Sequence, residues 1–292
     1  MLSSLVFSNT LQEAYNNAVP MNGYQKYIIL NQNTTYFGGV GIFEETTYID
    51  GNGAIINLDN GLGIWAYCDS TSNIVLDISR CTIINGSEYG ISFSGFSSGQ
   101  IINCNIINSN YGLKLFDNSD VIIKNCNLIN NETYGIGIFS TSPNLLISYS
   151  NAWGNGENYM ENCPGWGNIW TPWEPFPAYG NIYENPNYID IDYNFNYYEN
   201  SICIDNGDPT ILDPDNTRSD IGANYFIQNS IGDCNDDAEI NISDIILIIN
   251  NCIIDINPQL NCDCGNLNND NYVNVIDIIL LVDLILTSWI NL

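Results

Sequence analysis

From about residue 60 to residue 150, apolar and polar positions alternate in short runs bounded by Asn and Gly, the pattern of strands buried on one face. The runs recur. Tyr89-Gly90-Ile91, Tyr111-Gly112-Leu113 and Tyr134-Gly135-Ile136 each open a strand, and Leu62-Gly63-Ile64 extends the pattern upstream. Alternation turns Ile64, Ile91, Leu113 and Ile136 inward, with Ala66, Phe93, Leu115 and Ile138 beside them. A cysteine precedes three of the steps, at Cys81, Cys104 and Cys126, and an asparagine follows four residues later, at Asn85, Asn108 and Asn130. Ser150 takes the cysteine's place downstream. Before the cysteines comes another β-branched run, such as Val121, Ile122 and Ile123, so one period of about 22 residues holds three short strands and no helix.

Such a period predicts an all-β solenoid, a right-handed parallel β-helix whose coils stack about 4.8 Å apart. Stacking turns each repeated position into a ladder. The cysteines are expected indoors. The asparagines are expected at a bend, where their side chains tolerate the backbone and amides bond from coil to coil. Thr10 and Glu13 have capping-box spacing, so the pattern from Leu11 to Val19 predicts a helix within a capping segment, residues 1–20, that covers the first coil. The β-helix is expected over residues 21–226, with an aromatic-rich insertion at 151–200 carrying Trp153, Trp166, Trp170, Trp173, Phe176 and Tyr179. The repeats resemble the secreted right-handed β-helix proteins of the pectate-lyase-like superfamily. The stretches 201–209 and 213–223 look like a closing segment found in many bacterial members.

The outward positions of the repeated strand form two columns, Trp65, Ser92, Lys114, Gly137 and Tyr67, Ser94, Phe116, Phe139. Sugar rings stack on strips of this kind, which makes Trp65, Tyr67, Phe116 and Phe139 candidate carbohydrate-binding residues; alternatively residues 151–200 fold back over them. The resemblance implies lyases that abstract a proton with Arg or Lys while a cation neutralises the uronate. Lys114 and Lys124 are the candidate bases, each alone on its coil. Asp117 and Asp120 are the carboxylate candidates for glycoside hydrolysis, although they stand in a turn where such residues are ordinary. Asp205, Asp208, Asp213, Asp215 and Asp220 cluster in sequence around Arg218, either as calcium ligands or as turns bridged to that arginine.

Charge narrows the function. Five basic residues face thirty-three acidic ones, a net charge of -28, so nucleic acid and anionic membrane surfaces are excluded as partners and cations are favoured. There is no histidine, which removes imidazole bases. Ten cysteines without a Cys-x-x-Cys pair make structural zinc an unsuitable reading. Cys234, Cys252, Cys262 and Cys264 lie close enough for one or two disulfides, whose pairing stays open. No run of eighteen apolar residues exists to insert in a membrane. The opening residues lack a basic segment and are too short for a signal peptide, so an exported protein with a truncated start, secreted or at the cell surface, is expected.

After a linker at 227–231, residues 232–292 contain two related segments. Asp233, Asn235, Asp237, Glu239, Asn241 and Asp244 occupy positions 1, 3, 5, 7, 9 and 12 of one loop. Thirty-three residues later Asn266, Asn268, Asp270, Tyr272, Asn274 and Asp277 repeat them, with backbone carbonyls at Glu239 and Tyr272. Oxygen ligands at this spacing wrap a hard cation, so calcium is the expected cofactor. Each loop precedes a helix-length apolar run, and Ile240 and Val273 at position 8 are expected to pair the loops. Asp at position 12, a glycine before each loop and the duplication make the segment resemble a dockerin type I module, a small α-helical EF-hand-like domain. That resemblance implies a cohesin-like scaffold domain as partner. Ala238 at a position that favours glycine, and neutral Asn266 in place of an acid, imply weak or coupled sites. The sequence thus predicts a β-helix that presents a carbohydrate-facing surface and is anchored through its ending, with a polysaccharide lyase or glycosidase, or a structural surface protein, as alternatives.

Overall fold

The computed structural model describes residues 9–69, 74–140, 144–160, 180–215, 217–227, 231–235, 237, 239–254, 262–268, 270 and 272–290. The aromatic residues expected between 161 and 179, and Ala238, lie outside them. Contacts divide the chain into two units, Met1–Ile211 with Arg218–Phe226, and Leu212–Thr217 with Ile227–Leu292.

Three sheets build the first unit. The first has seven strands, beginning with Val19–Met21, antiparallel to Tyr24–Ile29, and continuing in parallel through Thr47–Asp50, Leu76–Ser79, Ser98–Ile102, Asp120–Lys124 and Asn144–Ser148. The second stacks Gly41–Ile42, Ile64–Cys68, Tyr89–Gly95, Tyr111–Leu115, Tyr134–Ile138 and Glu157–Tyr159. The third stacks Thr35–Phe37, Ile55–Asn57, Thr82–Ile84, Asn105–Ile107, Asn127–Ile129 and Asn151–Trp153. Each coil contributes one strand to every sheet, and residues one period apart are partners: Ile91 pairs with Ile64 and Leu113, and Leu113 with Ile136. The inward residues are sealed, with Ile64, Ile91, Phe93, Leu113 and Ile136 all at 0% exposure. The repeat continues through Asn151–Trp153 and Glu157–Tyr159, so these residues belong to the coils, although the insertion was expected to begin at residue 151.

The cysteine line and the asparagine bends are both present. Cys81, Cys104 and Cys126 are buried in the interior, and the Sγ atoms of Cys81 and Cys104 stand 3.9 Å apart. Ser150 continues the line, accepting the Cys126 amide at 3.1 Å. Asn85, Asn108 and Asn130 occupy bends with φ of 63°, 53° and 52°, the left-handed region that asparagine visits at low cost. The continuous amide ladder runs elsewhere. Asn105 Nδ2 donates to Thr82 Oγ1, Asn127 Nδ2 to Asn105 Oδ1, and Asn151 Nδ2 to Asn127 Oδ1, at 3.0, 3.2 and 3.0 Å. Burial explains the difference: a covered amide must find protein partners, whereas an amide at a bend can use water.

That ladder faces outward from the third sheet and is covered by the chain that follows the last coil. Tyr188–Asp190 and Asn194–Tyr197 form an antiparallel pair, and Tyr188, Phe195, Tyr197, Cys203 and Ile221 pack with Ile84, Ile107 and Ile129 in a second core. Tyr188 donates to Asn105 Oδ1 at 2.9 Å, and Asn127 donates to the Ile221 carbonyl at 2.9 Å. At the other end, α1 (Leu11–Asn17) is capped by Thr10, whose Oγ1 accepts from the Glu13 amide at 3.1 Å. Its Leu11 is fully buried in the core of the coils. The second unit holds α2 (Ile242–Ile248), which continues into a π-helical turn at Ile249–Ile253, and α3 (Val275–Ile290). No helix among the described residues is long and apolar enough to cross a membrane.

Candidate functional site

The outward face of the second sheet carries the aromatic strip. Its first column runs Gly41, Trp65, Ser92, Lys114, Gly137 in register. The glycines at its two ends shape the surface. A Cβ on Gly41 would come within 2.5 Å of the Phe43 ring, and one on Gly137 within 2.7 Å of Phe139 and 3.0 Å of Tyr111. Each phenyl group can therefore fold back over the strand two residues before it and lie against the sheet. Between these ends Trp65 meets Phe43 edge-on at 5.2 Å and donates its indole N–H to Ser94 Oγ at 2.7 Å, which fixes the ring. Phe116 and Phe139 stack at 5.2 Å, and Tyr111 stacks on Tyr134 at 6.1 Å. Trp65, Tyr67, Phe139, Phe43 and Phe96 remain 36%, 40%, 40%, 48% and 48% exposed, so the rings present surface to solvent. Ser92 and Ser94, expected among the outward positions, point outward but are buried beneath their neighbours.

Lys114 stands within this face and is enclosed by it. Its Nζ lies 4.5 Å from the centre of the Tyr111 ring, 5.3 Å from Phe139 and 5.6 Å from Phe116, with a Glu88 oxygen at 3.7 Å. Lys124 is on the first sheet, where it pairs with Asp208 at 2.7 Å. Burial pushes the Asp208 carboxyl up, but the Lys124 hydrogen bond and the Thr210 amide and hydroxyl outweigh it, and its pKa falls to about 2. The two lysines thus belong to different sheets and serve different carboxylates. Asp117 Oδ2 accepts the Gly95 amide at 2.9 Å, and Asp120 Oδ1 accepts from Asn144 at 3.0 Å, so both bridge neighbouring coils. The expected acidic cluster around Arg218 is a set of turns. Asp215 holds Thr217, Asp220 accepts the Asp205 and Phe226 amides, and Arg218 donates to the Gly207 carbonyl at 2.7 Å while lying over Tyr149.

In the second unit the two loops have the same hydrogen-bond pattern. The amide at position 5 bonds the side chain at position 1, Asp237 to Asp233 at 3.3 Å and Asp270 to Asn266 at 3.2 Å. The side-chain amide at position 3 bonds position 5, Asn235 to Asp237 and Asn268 to Asp270. Position 9 bonds the carbonyl at position 7, Asn241 to Glu239 and Asn274 to Tyr272. Asp244 accepts the amides of Cys234, Asn235 and Asn241, and Asp277 those of Asn268 and Asn274. Asp233, Asp244 and Asp277 are buried at 1%, 0% and 0% exposure. Ile240 and Val273 both pack on the small core of Cys234, Ile248 and Leu281. Disulfides join Cys234 to Cys264 and Cys252 to Cys262, resolving the pairing left open by the sequence. Among the described residues no three carboxylates or thiols converge as a metal cluster; the donors here are Asp, Asn and carbonyl oxygens, the hard set that suits calcium.

Residues 3–162, more than half of the chain, match the family model described as "Right handed beta helix region". The chain belongs to the right-handed β-helix family. Among solved structures it is similar to one titled "Crystal structure of pectate lyase Pel9A", at 12% identity over 74% of this chain and 90% of that one, with a TM-score of 0.29. No curated protein matches it. In this β-helix the sequence pattern located the columns but not the partners that shape them. Phe43, Tyr111, Tyr134 and Glu88 were not singled out for the strip. The glycines at 41 and 137 are the signal that could have found Phe43 and strengthened Phe139, since a glycine facing outward two residues before an aromatic leaves room for the ring.

Proposed function

We propose that this protein is an exported, carbohydrate-directed β-helix, held at its place of action by a calcium-loaded docking module of the dockerin kind that engages a cohesin-type scaffold domain. The observation that carries the docking half is the matched bonding of the two loops around buried carboxylates. Residues 227–292 contain ten acidic residues and no basic one. Burying carboxylates without a cation is costly, and hydrogen bonds offset only part of that cost. Asp233, Asn235, Asp237, Asn241 and Asp244 would hold calcium in the first loop with the Glu239 carbonyl. Asn266, Asn268, Asp270, Asn274 and Asp277 would do so in the second with the Tyr272 carbonyl. Bound calcium would supply the missing positive charge and fix the angle between each loop and its helix. The two disulfides favour an oxidising, extracellular setting.

The exposed rings of the second sheet support the carbohydrate half. Binding is favoured over bond cleavage because Lys114, Lys124, Asp117 and Asp120 are each engaged in holding the fold. Calorimetry tests the module: calcium should release heat with wild-type protein, and Asp244→Ala should weaken the binding at least tenfold. No heat at millimolar calcium would sink the calcium reading. Native electrophoresis through soluble polysaccharides tests the face, where Trp65→Ala should abolish any retardation seen with wild type.

A further inference from the structure

The five cations of this chain are all engaged within the fold. Lys26 lies 3.8 Å from Glu45, Arg80 2.5 Å from Asp50, Lys114 3.7 Å from Glu88 and Lys124 2.7 Å from Asp208, while Arg218 holds the Gly207 carbonyl. Only Lys114 belongs to the second sheet, and its ammonium is enclosed by three rings. Acidic residues stand just beyond the ends of these strands, Glu44 and Asp69 on the coils of Phe43 and Tyr67, Glu88 and Asp117 on those nearest Lys114, where Glu88 pairs with the lysine. An anionic sugar on this face would meet carboxylates of its own sign, within a molecule of net charge -28.

We infer that the aromatic face takes neutral polysaccharides and rejects uronate polymers. The inference rests on the carbohydrate reading above and names its substrate class. Ring faces attract the axial C–H surfaces of any pyranose, so stacking alone does not discriminate by charge; the carboxylate border does. Two ring groups, Phe43 with Trp65 and Tyr67, and Tyr111 with Phe116 and Phe139, are separated by the coil carrying Ser92 and Ser94. The coils bearing Trp65 and Phe116 are two apart, roughly 10 Å at β-sheet spacing, so an extended chain would rest on both groups.

The full-length protein would be run by native electrophoresis through gels containing hydroxyethylcellulose, xyloglucan or galactomannan, and through gels containing polygalacturonate or alginate, with and without millimolar calcium. Retardation by at least one neutral polymer, and several-fold less by the acidic ones, is the expected result. Acidic polymers that retard the protein as much as or more than the neutral ones overturn the inference and leave the carbohydrate reading standing. No retardation in any gel removes both.

Discussion

The Lys124 and Asp208 pair shows how one side chain on a repeated strand can fasten a segment far away in sequence. The carboxylate is buried at 6% exposure, and Thr210 bonds it as well as the lysine. Its folded pKa of about 2 lies below the ordinary carboxylate range near 3.9, so the folded state binds the proton more weakly than the unfolded one. The pair therefore contributes its full stability above about pH 4 and loses it as pH falls toward 2. Lys124→Met should destabilise the first unit by on the order of 1–3 kcal/mol at pH 7, where it leaves a buried carboxylate unpaired. The difference from wild type should shrink as the medium is acidified. Urea unfolding at several pH values checks this, and a gap independent of pH would show that the lysine acts through packing alone.

Single strands explain why glycines in the same repeat are not equivalent. Gly95 has φ of 67°, and a Cβ there would overlap the Cys68 carbonyl, so the obstruction is backbone. At Gly137 the obstruction is the edge of two rings, which can swing away. Gly95→Ala should lower stability by about 2 kcal/mol or more, whereas Gly137→Ala should cost less than about 1 kcal/mol. The second variant should nonetheless lose any glycan binding several-fold, since it lifts Phe139 from the sheet. Thermal unfolding of both, with gel retardation of the second, separates the cases. At the first coil, Leu11 of α1 fills the open end. Leu11→Ala should cost about 2–5 kcal/mol and promote aggregation through the exposed strand edges, as light scattering during heating would show.

For the whole molecule, two compact units with different stabilising devices should unfold separately. The coils rely on apolar ladders and buried amides; among the described residues of the ending, Cys234, Ile248 and Leu281 form a small buried core, accompanied by two disulfides. A core that small requires covalent or metal support. Calorimetric scans should therefore show a transition sensitive to reductant and calcium, with a second that responds to neither. One cooperative transition shifted as a whole by reductant would contradict the division. The coils, their period, the cysteine line and the bends at Asn85, Asn108 and Asn130 were legible in the sequence because stacking repeats each environment every 22 or so residues. The matched bonding of the segments 233–244 and 266–277 was legible as a duplicated spacing, because those bonds are local in sequence. The sequence determined which residues recur and which way they face. Only the tertiary structure decided what they meet: that Asn105, Asn127 and Asn151 form the buried ladder, that Lys124 holds Asp208, and that Lys114 is enclosed by rings. Register along a strand is a local property, whereas burial and pairing depend on chain that returns from 70 or more residues away, as Tyr197 does to Asn127.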